Sequence, residues 1–463
     1  MFSKEIYVAR RSKLKSSINK EILLFLGNSE ASSNYPDNTY IFRQDSNWLY
    51  YFGIDKPDFA AIIDIESGEE IIFGNDVDID DIIWMGPQPS VADQAAEVGV
   101  AKTAPLAKLE SVVRDAAAKG RKIHFLPPYR NHNKIMLNSI LGLAFGQMKE
   151  AASEEFIKAV VAQRLIKEPC EVMEIDKACN LGYAMHMAAT KLMKTGMIEQ
   201  ELVGVMEGVA VSGGYMTSFP TILSQNGETL HNHTHHQILT EGRLTVIDAG
   251  VEIASHYCSD NTRTLPCSGR FTQQQKDVYT IVSEAENMTL SIARPGITYR
   301  EVHLTISRLM LQGLKNIGIV KGDLDEAVAQ GVQGLFMPHG IGHNMGLDVH
   351  DMEDLGENYV GYDPDQTRAK QLGLGSLRMA RMLRAGHVIT DEPGIYFIPA
   401  LIDQWKAEGH CKDFINFDAL DAYRTFGGIR IEDDLLITEK GARLLGSKRL
   451  PRTVEEVESA MAE

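Results

Sequence analysis

Cysteine is scarce in this chain of 463 residues: five thiols (Cys170, Cys179, Cys258, Cys267 and Cys411), an odd number with no CxxC pair. That excludes a small disulfide scaffold and suits a reducing compartment, where free cysteine behaves as a small apolar residue. Long hydrophobic runs are missing as well. The run 22–26 is far too short to span a membrane, and the opening MFSKEIYVARRSKLKSSINK lacks the apolar core of a secretion signal. A cytoplasmic protein without a membrane partner is expected. Positive charge is in deficit, with 46 Lys and Arg against 63 Asp and Glu, a formal charge of −17. So acidic a chain repels phosphate backbones, which argues against nucleic acid as the main partner. No short-period repeat or low-complexity tract is present, and disorder and collagen-like repetition are excluded.

What remains is an ordinary globular composition, 44% hydrophobic and 24% charged. The length exceeds what one core usually organises, so two domains are the default. The first third reads as mixed α/β. FAAIIDIESGEEIIFG gives two strands about a turn at Glu66-Ser67-Gly68, and RKIHFLPP gives another, stopped by Pro127 and Pro128. Near residue 155 the pattern turns helical in EEFIKAVVAQRLIKEPCEVMEIDKACNLGYAMHMAATKLMKTG, with Pro169 expected to bend or interrupt the helix. The expected domains are therefore 1–155 and 156–463. Past residue 240 strands return, LTVIDAGVEI and HYCSDNTRTLPCSG as an adjacent pair, then a helix from Gln273 to about Arg294, then GIRIEDDLLIT as another strand.

The chemistry lies in five separated segments of the second half. They are IDAG with Asp248, SDNTRT with Asp260, HGIGHNMGLDVHD with His339, His343 and His350, TDEPGIY with Glu392, and GGIRIEDD with Glu432. Each has a bland reading alone: an Asp beside Gly starts turns, EPG is a turn, and RIEDD suits a solvated edge. Their setting changes the balance. Asp248 follows the apolar run Leu244-Thr245-Val246-Ile247, and Glu432 alternates with Ile429 and Ile431. In a strand Arg430, Glu432 and Asp434 share one face, as do Asp260, Thr262 and Thr264. Carboxylates set into apolar strands cost several kcal/mol unless paired or bound to a cation, and few Lys or Arg lie nearby. Four carboxylates and one imidazole make a hard, oxygen-rich donor set, suited to Mn²⁺ or Co²⁺, with Zn²⁺ also accommodated. Their charge of −4 matches two divalent ions, an arrangement that sharpens water into a nucleophile. Cys258 shares strand parity with Asp260 and is expected to be packed and unligated.

Taken together, these segments resemble the creatinase/aminopeptidase family of metallopeptidases, the pita-bread enzymes, in the proline-directed branch of prolidase and aminopeptidase P. FRQDSNWLYYFGI and the later WMG at Trp84–Gly86 are similar to that branch's N-terminal domain. The resemblance implies an α+β fold, with a pita-bread catalytic domain behind a smaller mixed α/β creatinase-like domain. It implies that Asp248 and Asp260 bind one metal ion and that Asp260 bridges to a second. His343 and Glu392 then complete the second ion's shell, and Glu432 bridges both. His231 matches a histidine facing the substrate near the scissile carbonyl, while His339 and His350 match two that line the pocket and stabilise the tetrahedral intermediate. Glu392 is the expected proton shuttle, and Arg430 lies beside Glu432, either behind the metal ligands or near the substrate. His233, His235 and His236 have no family role and read as loop residues.

The implied activity is hydrolysis of the peptide bond before proline, releasing the N-terminal residue of small peptides with proline second. GLGSLRMARMLRAG is similar to prolidases, and its Arg378 matches an arginine that binds the proline carboxylate of a dipeptide. A guanidinium fork suits a terminal carboxylate. The reading therefore leans to an Xaa-Pro dipeptidase, with Xaa-Pro aminopeptidase as the alternative, acting on longer peptides with the same metal and histidine motifs. A homodimer or homotetramer is expected by analogy with relatives. Two departures stand out. Asp248 and Asp260 are twelve residues apart, one more than usual, and a bulge or longer turn must absorb the extra residue. Asp391 stands where relatives usually carry an apolar residue, placing an extra acid beside the site.

Overall fold

The apolar run at 22–26 forms an interior strand of a mixed sheet. In the computed structural model, which describes residues 2–462, strand Ile22–Leu26 pairs antiparallel with Ala60–Asp64 and parallel with Ile123–His124. Glu70–Phe73 and Lys102–Ala104 complete five strands. The turn at Glu66-Ser67-Gly68 joins the two strands expected there: Asp64 Oδ1 accepts from the amides of Glu66 and Ser67, and Gly68 adopts φ +73°. The NWLYYF segment is a helix, Ser46–Phe52, capped by Asp45 and wholly buried. The chain divides into two compact units. One runs to Arg164 and includes Glu353–Tyr359; the other comprises Leu165–Met352 and Val360–Glu463. The helix Glu154–Arg164 packs in the first unit, where the Phe156 and Phe25 rings meet edge-on at 5.1 Å.

Pro169 does not bend a helix; it begins one. Glu154–Arg164 ends before it, and Pro169 occupies the first turn of Pro169–Leu192 behind a Glu168–Glu171 capping box. A first-turn N–H has no helical partner in any case, so proline costs nothing there. The helix expected from Gln273 runs to Ile292, capped by Thr272 and Gln275.

The second unit is built on antiparallel ladders. Leu244–Ala249 lies between Asn261–Pro266 and Ile222–Ser224, with Asp248 opposite Thr262 and Ile222. Val388–Asp391 pairs with Asp433–Ile437, and Gly394–Tyr396 with Gly428–Arg430. GIRIEDDLLIT is thus two strands, not one. They break at Ile431-Glu432, and the Glu432 backbone exchanges hydrogen bonds with Thr262 in the neighbouring ladder. The strands and flanking helices share one large apolar core, with Leu244, Ile247, Ile389, Ile429, Ile431 and Leu435 facing Val278, Val282 and Met310. The regular pairing of Asp248 with Thr262 shows that no bulge absorbs the extra residue before Asp260. The connection does so, through a tight turn at Ile253–Tyr257 in which His256 takes φ +67°. A left-handed histidine is uncommon; here its Nδ1 meets Glu252 Oε1 at 2.7 Å.

None of the five cysteines forms a disulfide among the described residues. Among the described residues, no helix is long and apolar enough to cross a membrane.

Candidate active site

All ten candidate residues lie on the wall of one cavity of about 450 Å³ in the second unit. Strand alternation and three close backbone approaches bring them there. Asp248 projects from its strand into the cavity, while Ile247 beside it is sealed in the core. Gly250 lets the chain turn: a Cβ there would stand 1.8 Å from the Ser259 carbonyl oxygen, so the residue before Asp260 packs directly on the residues after Asp248. The loop carrying His343 is held against strand Val388–Asp391, where the His343 amide donates to Thr390 Oγ1 and the Thr390 amide returns a bond to His343 O, both at 3.0 Å. Gly342 is required for that contact, since a Cβ would lie 2.1 Å from Thr390 O. Glu392 follows the strand, its amide held by Ile341 O at 2.9 Å.

Asp260, His343 and Glu432 present ligand atoms all within 4.8 Å of one another, and all three side chains are buried. His343 Nε2 is 3.3 Å from Asp260 Oδ2 and 4.0 Å from Glu392 Oε1. Asp248 stands slightly apart: its Oδ2 accepts from Arg430 Nη2 at 2.5 Å, and its Oδ1 is buried without a partner. Asp260 Oδ1 is likewise buried and unpartnered. Orphaned carboxylate oxygens in a buried site carry a large desolvation cost. Burial, and then mutual repulsion among Glu432, Asp248 and Glu392, pushes the Asp260 and Glu432 carboxyls well above the carboxylate range. Burial lifts Glu392 to about 8, with Arg430 opposing and Asp248 adding to the rise. The same burial drives the His343 imidazole well down, so it stays neutral with a lone pair to offer. Hard, anionic donors whose own charges repel one another fit divalent cations.

The histidines fall into two groups. The His350 ring lies 4.1 Å from that of His343. His231 sits on the same wall, its basicity lowered by burial and by Arg430. His339 belongs to a fixed hydrogen-bonded chain. Arg430 Nη1 donates to the Tyr396 hydroxyl at 2.6 Å, and that hydroxyl meets His339 Nε2 at 2.9 Å. A hydroxyl that accepts from arginine turns its own hydrogen to the imidazole, so His339 carries its proton on Nδ1 and donates it to Gly340 O at 2.7 Å. Burial takes His339 down to about 3. Its Nδ1 is 3.7 Å from Glu392 Oε2.

Sequence reasoning missed Tyr396 and Thr262. Thr262 Oγ1 donates to Glu432 Oε2 at 2.6 Å and accepts from Arg430 Nε at 3.1 Å; its parity with Asp260 was the available signal. Arg430 and Glu432 share the cavity face as the alternation required. Asp434 does not reach the cavity, because the break at Ile431-Glu432 turns it behind the ladder, where Oδ2 accepts from the Asp260 amide at 3.0 Å and from Cys179 Sγ at 3.3 Å. Asp391 is a correction. It does not line the cavity; strand alternation turns it to the opposite face, across from Asp433 and in the field of Glu286 and Arg452. Cys258 is buried and packed as expected, and His233 lines the cavity rim while His235 Nδ1 bonds Leu223 O.

Two family models match the chain: metallopeptidase family M24 over residues 173–439, and the aminopeptidase P N-terminal domain over 7–124. Among curated proteins, the chain is 31% identical to the Xaa-Pro dipeptidase of Homo sapiens over 95% of this chain and 88% of that one. It is 30% identical to a probable Xaa-Pro aminopeptidase of Paracoccidioides lutzii, over 91% and 88%. Among solved structures, zinc-substituted Escherichia coli aminopeptidase P in complex with product superposes with a TM-score of 0.81 at 27% identity, covering 100% of this chain and 98% of that one. Aminopeptidase PepP of Pseudomonas aeruginosa gives 0.81 at 25% with the same coverage. The pita-bread architecture with an N-terminal domain, expected from the motifs, is the fold of these structures.

Proposed function

Because the chain belongs to metallopeptidase family M24, we propose that it hydrolyses the peptide bond preceding a prolyl residue, releasing the N-terminal residue, with Xaa-Pro dipeptides as the preferred substrates. The observation that carries this reading is the convergence of five distant acid and imidazole ligands on one cavity with Arg378 on its wall. Asp248, Asp260, His343, Glu392 and Glu432 would hold two divalent ions, Mn²⁺ above Co²⁺ or Zn²⁺ for so oxygen-rich a set. Such a pair would supply an acidified water as nucleophile and would polarise the scissile carbonyl.

The chain's own groups do the rest. The acidic end of the cavity attracts the substrate's free ammonium, which limits cleavage to the first residue. Phe219, Ile222 and Leu230 offer the prolyl ring an apolar wall. The bond before proline is a tertiary amide with no N–H, so the enzyme needs no hydrogen-bond acceptor at that position in the ground state. Glu392, deprotonated when it holds metal, would take a proton from the attacking water and pass it to the departing prolyl nitrogen. His231 and His350 face the reacting carbonyl and stabilise the charge that develops on its oxygen. His339, kept neutral by burial and oriented by Tyr396, stands beside Glu392. Arg378, whose charge is felt at both Glu392 and His343, takes the carboxylate of a dipeptide. An aminopeptidase acting on longer peptides is the second reading, supported by the shared metal and histidine set and by the aminopeptidase names among relatives.

A homodimer or homotetramer in the cytoplasm goes with this reading. It is supported by five cysteines that form no disulfide and by the helix Ile79–Met85, whose Ile79, Ile83, Trp84 and Met85 are all exposed. Assays with Xaa-Pro and Xaa-Pro-Yaa, with and without chelator, test the proposal. Chelator-sensitive hydrolysis favouring the dipeptide, with that preference lost in Arg378→Ala, supports it. Absence of hydrolysis of either peptide by the Mn²⁺-loaded protein defeats it.

A further inference from the structure

The cavity wall carries a guanidinium beyond Arg378 and Arg430. Arg368 and Arg378 both line it, with Ser376 beside them, and all three come from one segment, residues 361–383. That segment is internally braced. Tyr362, Leu374, Leu377 and Ala380 form their own small core against Leu304. The Tyr362 hydroxyl donates to Leu377 O at 2.7 Å. Asp363 accepts from the Arg381 guanidinium at 3.0 Å and the Met382 amide at 2.8 Å. Within this brace Arg368 Nε donates to Gly375 O at 2.7 Å, which fixes the plane of its guanidinium on the wall. Arg378 is half-buried and close enough to influence Glu392 and His343, whereas Arg368 is exposed. The two cations are therefore ordered along the cavity, Arg378 inner and Arg368 outer. The volume of about 450 Å³ lies in the range that accepts ligands larger than two residues.

We propose that Arg368 is a specificity-determining residue that holds the C-terminal carboxylate of a substrate one residue longer than a dipeptide, so that Xaa-Pro-Yaa tripeptides are accepted as free acids. This rests on the Xaa-Pro reading of the cavity. Arg378 meets a carboxylate on the prolyl residue itself; when a third residue follows, the carboxylate moves outward to where Arg368 stands. A planar fork discriminates a carboxylate from a neutral amide, which offers one acceptor oxygen and no charge. Arg368 thus makes the site a reader of chain ends: it favours short peptides with a free carboxylate at the third position over amidated or internal sequence.

The test compares an Xaa-Pro-Yaa tripeptide with its C-terminal amide in the wild type, Arg368→Ala and Arg368→Lys, measuring kcat and KM separately. Calorimetry of the product Pro-Yaa, acid against amide, reads the same contact without turnover. The wild type is expected to prefer the acid, and Arg368→Ala to lose that preference by about tenfold or more, through KM, with Arg368→Lys restoring part of it. Equal losses for acid and amide, or no loss for either, overturn the proposal and leave the Xaa-Pro reading standing. An Arg368-dependent preference for binding the acid, in a protein that hydrolyses neither peptide, upholds the role of Arg368 and defeats the functional reading instead.

Discussion

Arg430 reaches from the last third of the chain to Asp248, 182 residues earlier, and its Nη2 lies 2.5 Å from Oδ2. The same guanidinium holds Tyr396 through Nη1 and Thr262 through Nε. One side chain therefore fixes a carboxylate, a phenol and, through Thr262, the orientation of Glu432. Arg430→Ala leaves buried Asp248 without its partner, a change that costs about 3–5 kcal/mol. Arg430→Lys, a point charge in place of a fork, cannot meet all three partners at once. Urea unfolding is expected to show a large loss for alanine and a smaller one for lysine. Equal stability of the alanine variant and the wild type would contradict the geometry.

Glu432 lies where two ladders meet, and its neighbours impose opposite demands with and without a cation. Glu432→Gln removes one ligand, and at about 1.4 kcal/mol per decade the several kcal/mol of charge stabilisation lost is about 10³-fold or more in kcat/KM. The same variant relieves the repulsion among Glu432, Asp248 and Glu392, so in chelator it should melt above the wild type. Opposite signs in activity and in metal-free stability identify a ligand; a fall in both identifies a merely structural acid.

The motifs made much of this legible, and the reasons for the gaps are physical. Period-two alternation placed Asp248 against an apolar run and put Arg430 and Glu432 on one face, and both placements hold. The same alternation carried the information that Asp391 and Glu392 face opposite ways; reading them as neighbours in sequence obscured it. Tyr396 and Thr262 were harder, because their roles exist only through residues 34 and 168 positions away. Pro169 interrupts the helical pattern, one of the two outcomes expected there, because proline suits the first turn of a new helix and not the interior of a continuous one. Arg368 lies in a loop whose brace depends on tertiary packing that periodicity does not encode.

Acidity of the site sets a pH dependence. Glu392 is raised to about 8 in the folded, metal-free protein, against 4.5 ordinarily. The folded state then binds more protons than the unfolded one between those values, so this group's contribution to stability is complete below pH 4.5 and is lost as pH rises through about 8. Asp434, also lifted to about 8 by burial, adds in the same direction. Chelated protein should therefore lose stability from mildly acid to mildly alkaline pH. Divalent metal must displace the proton, so its apparent affinity should climb towards pH 8 with proton release, and its stabilising effect should be largest there. Metal titrations by calorimetry in two buffers of different ionisation enthalpy measure the protons released; none released at pH 7 would count against a raised Glu392.

Gly342 tests how the His343 loop is seated. With a Cβ 2.1 Å from the Thr390 carbonyl, Gly342→Ala forces the loop off strand Val388–Asp391. His343 moves with it, since its amide and carbonyl are the groups bonded to Thr390. A displacement of this kind near reacting groups costs about 10²-fold. The loss should appear in metal affinity and kcat together, with the unfolding midpoint lowered and the N-terminal unit unaffected by proteolysis. Unchanged metal affinity would show that the loop yields without moving the imidazole.

Asp391 gives the last test, because its environment contains acid without metal. It stands directly across from Asp433, with both carboxylate oxygens buried and without a hydrogen-bond partner. Glu286 lies on the same side, lifted to about 8 by burial and by Asp433; Arg452 Nη1 donates to Glu286 and Arg263 Nη2 to Asp433. Three acids against two arginines leave one carboxyl that the fold can hold only as the neutral acid. Asp391→Asn keeps the shape, removes the repulsion and supplies two N–H donors to the facing carboxylates. It should stabilise the protein by about 1–3 kcal/mol at pH 8, the scale of a buried hydrogen bond to a charged group, and by less at pH 5, where the acid is already protonated. Hydrolysis should change by less than about twofold, since the side chain faces away from the cavity and a substitution that touches no reacting group leaves kcat/KM nearly unmoved. Thermal unfolding at the two pH values decides it: a variant less stable than the wild type at pH 8 would mean that the aspartate is ionised and well paired after all.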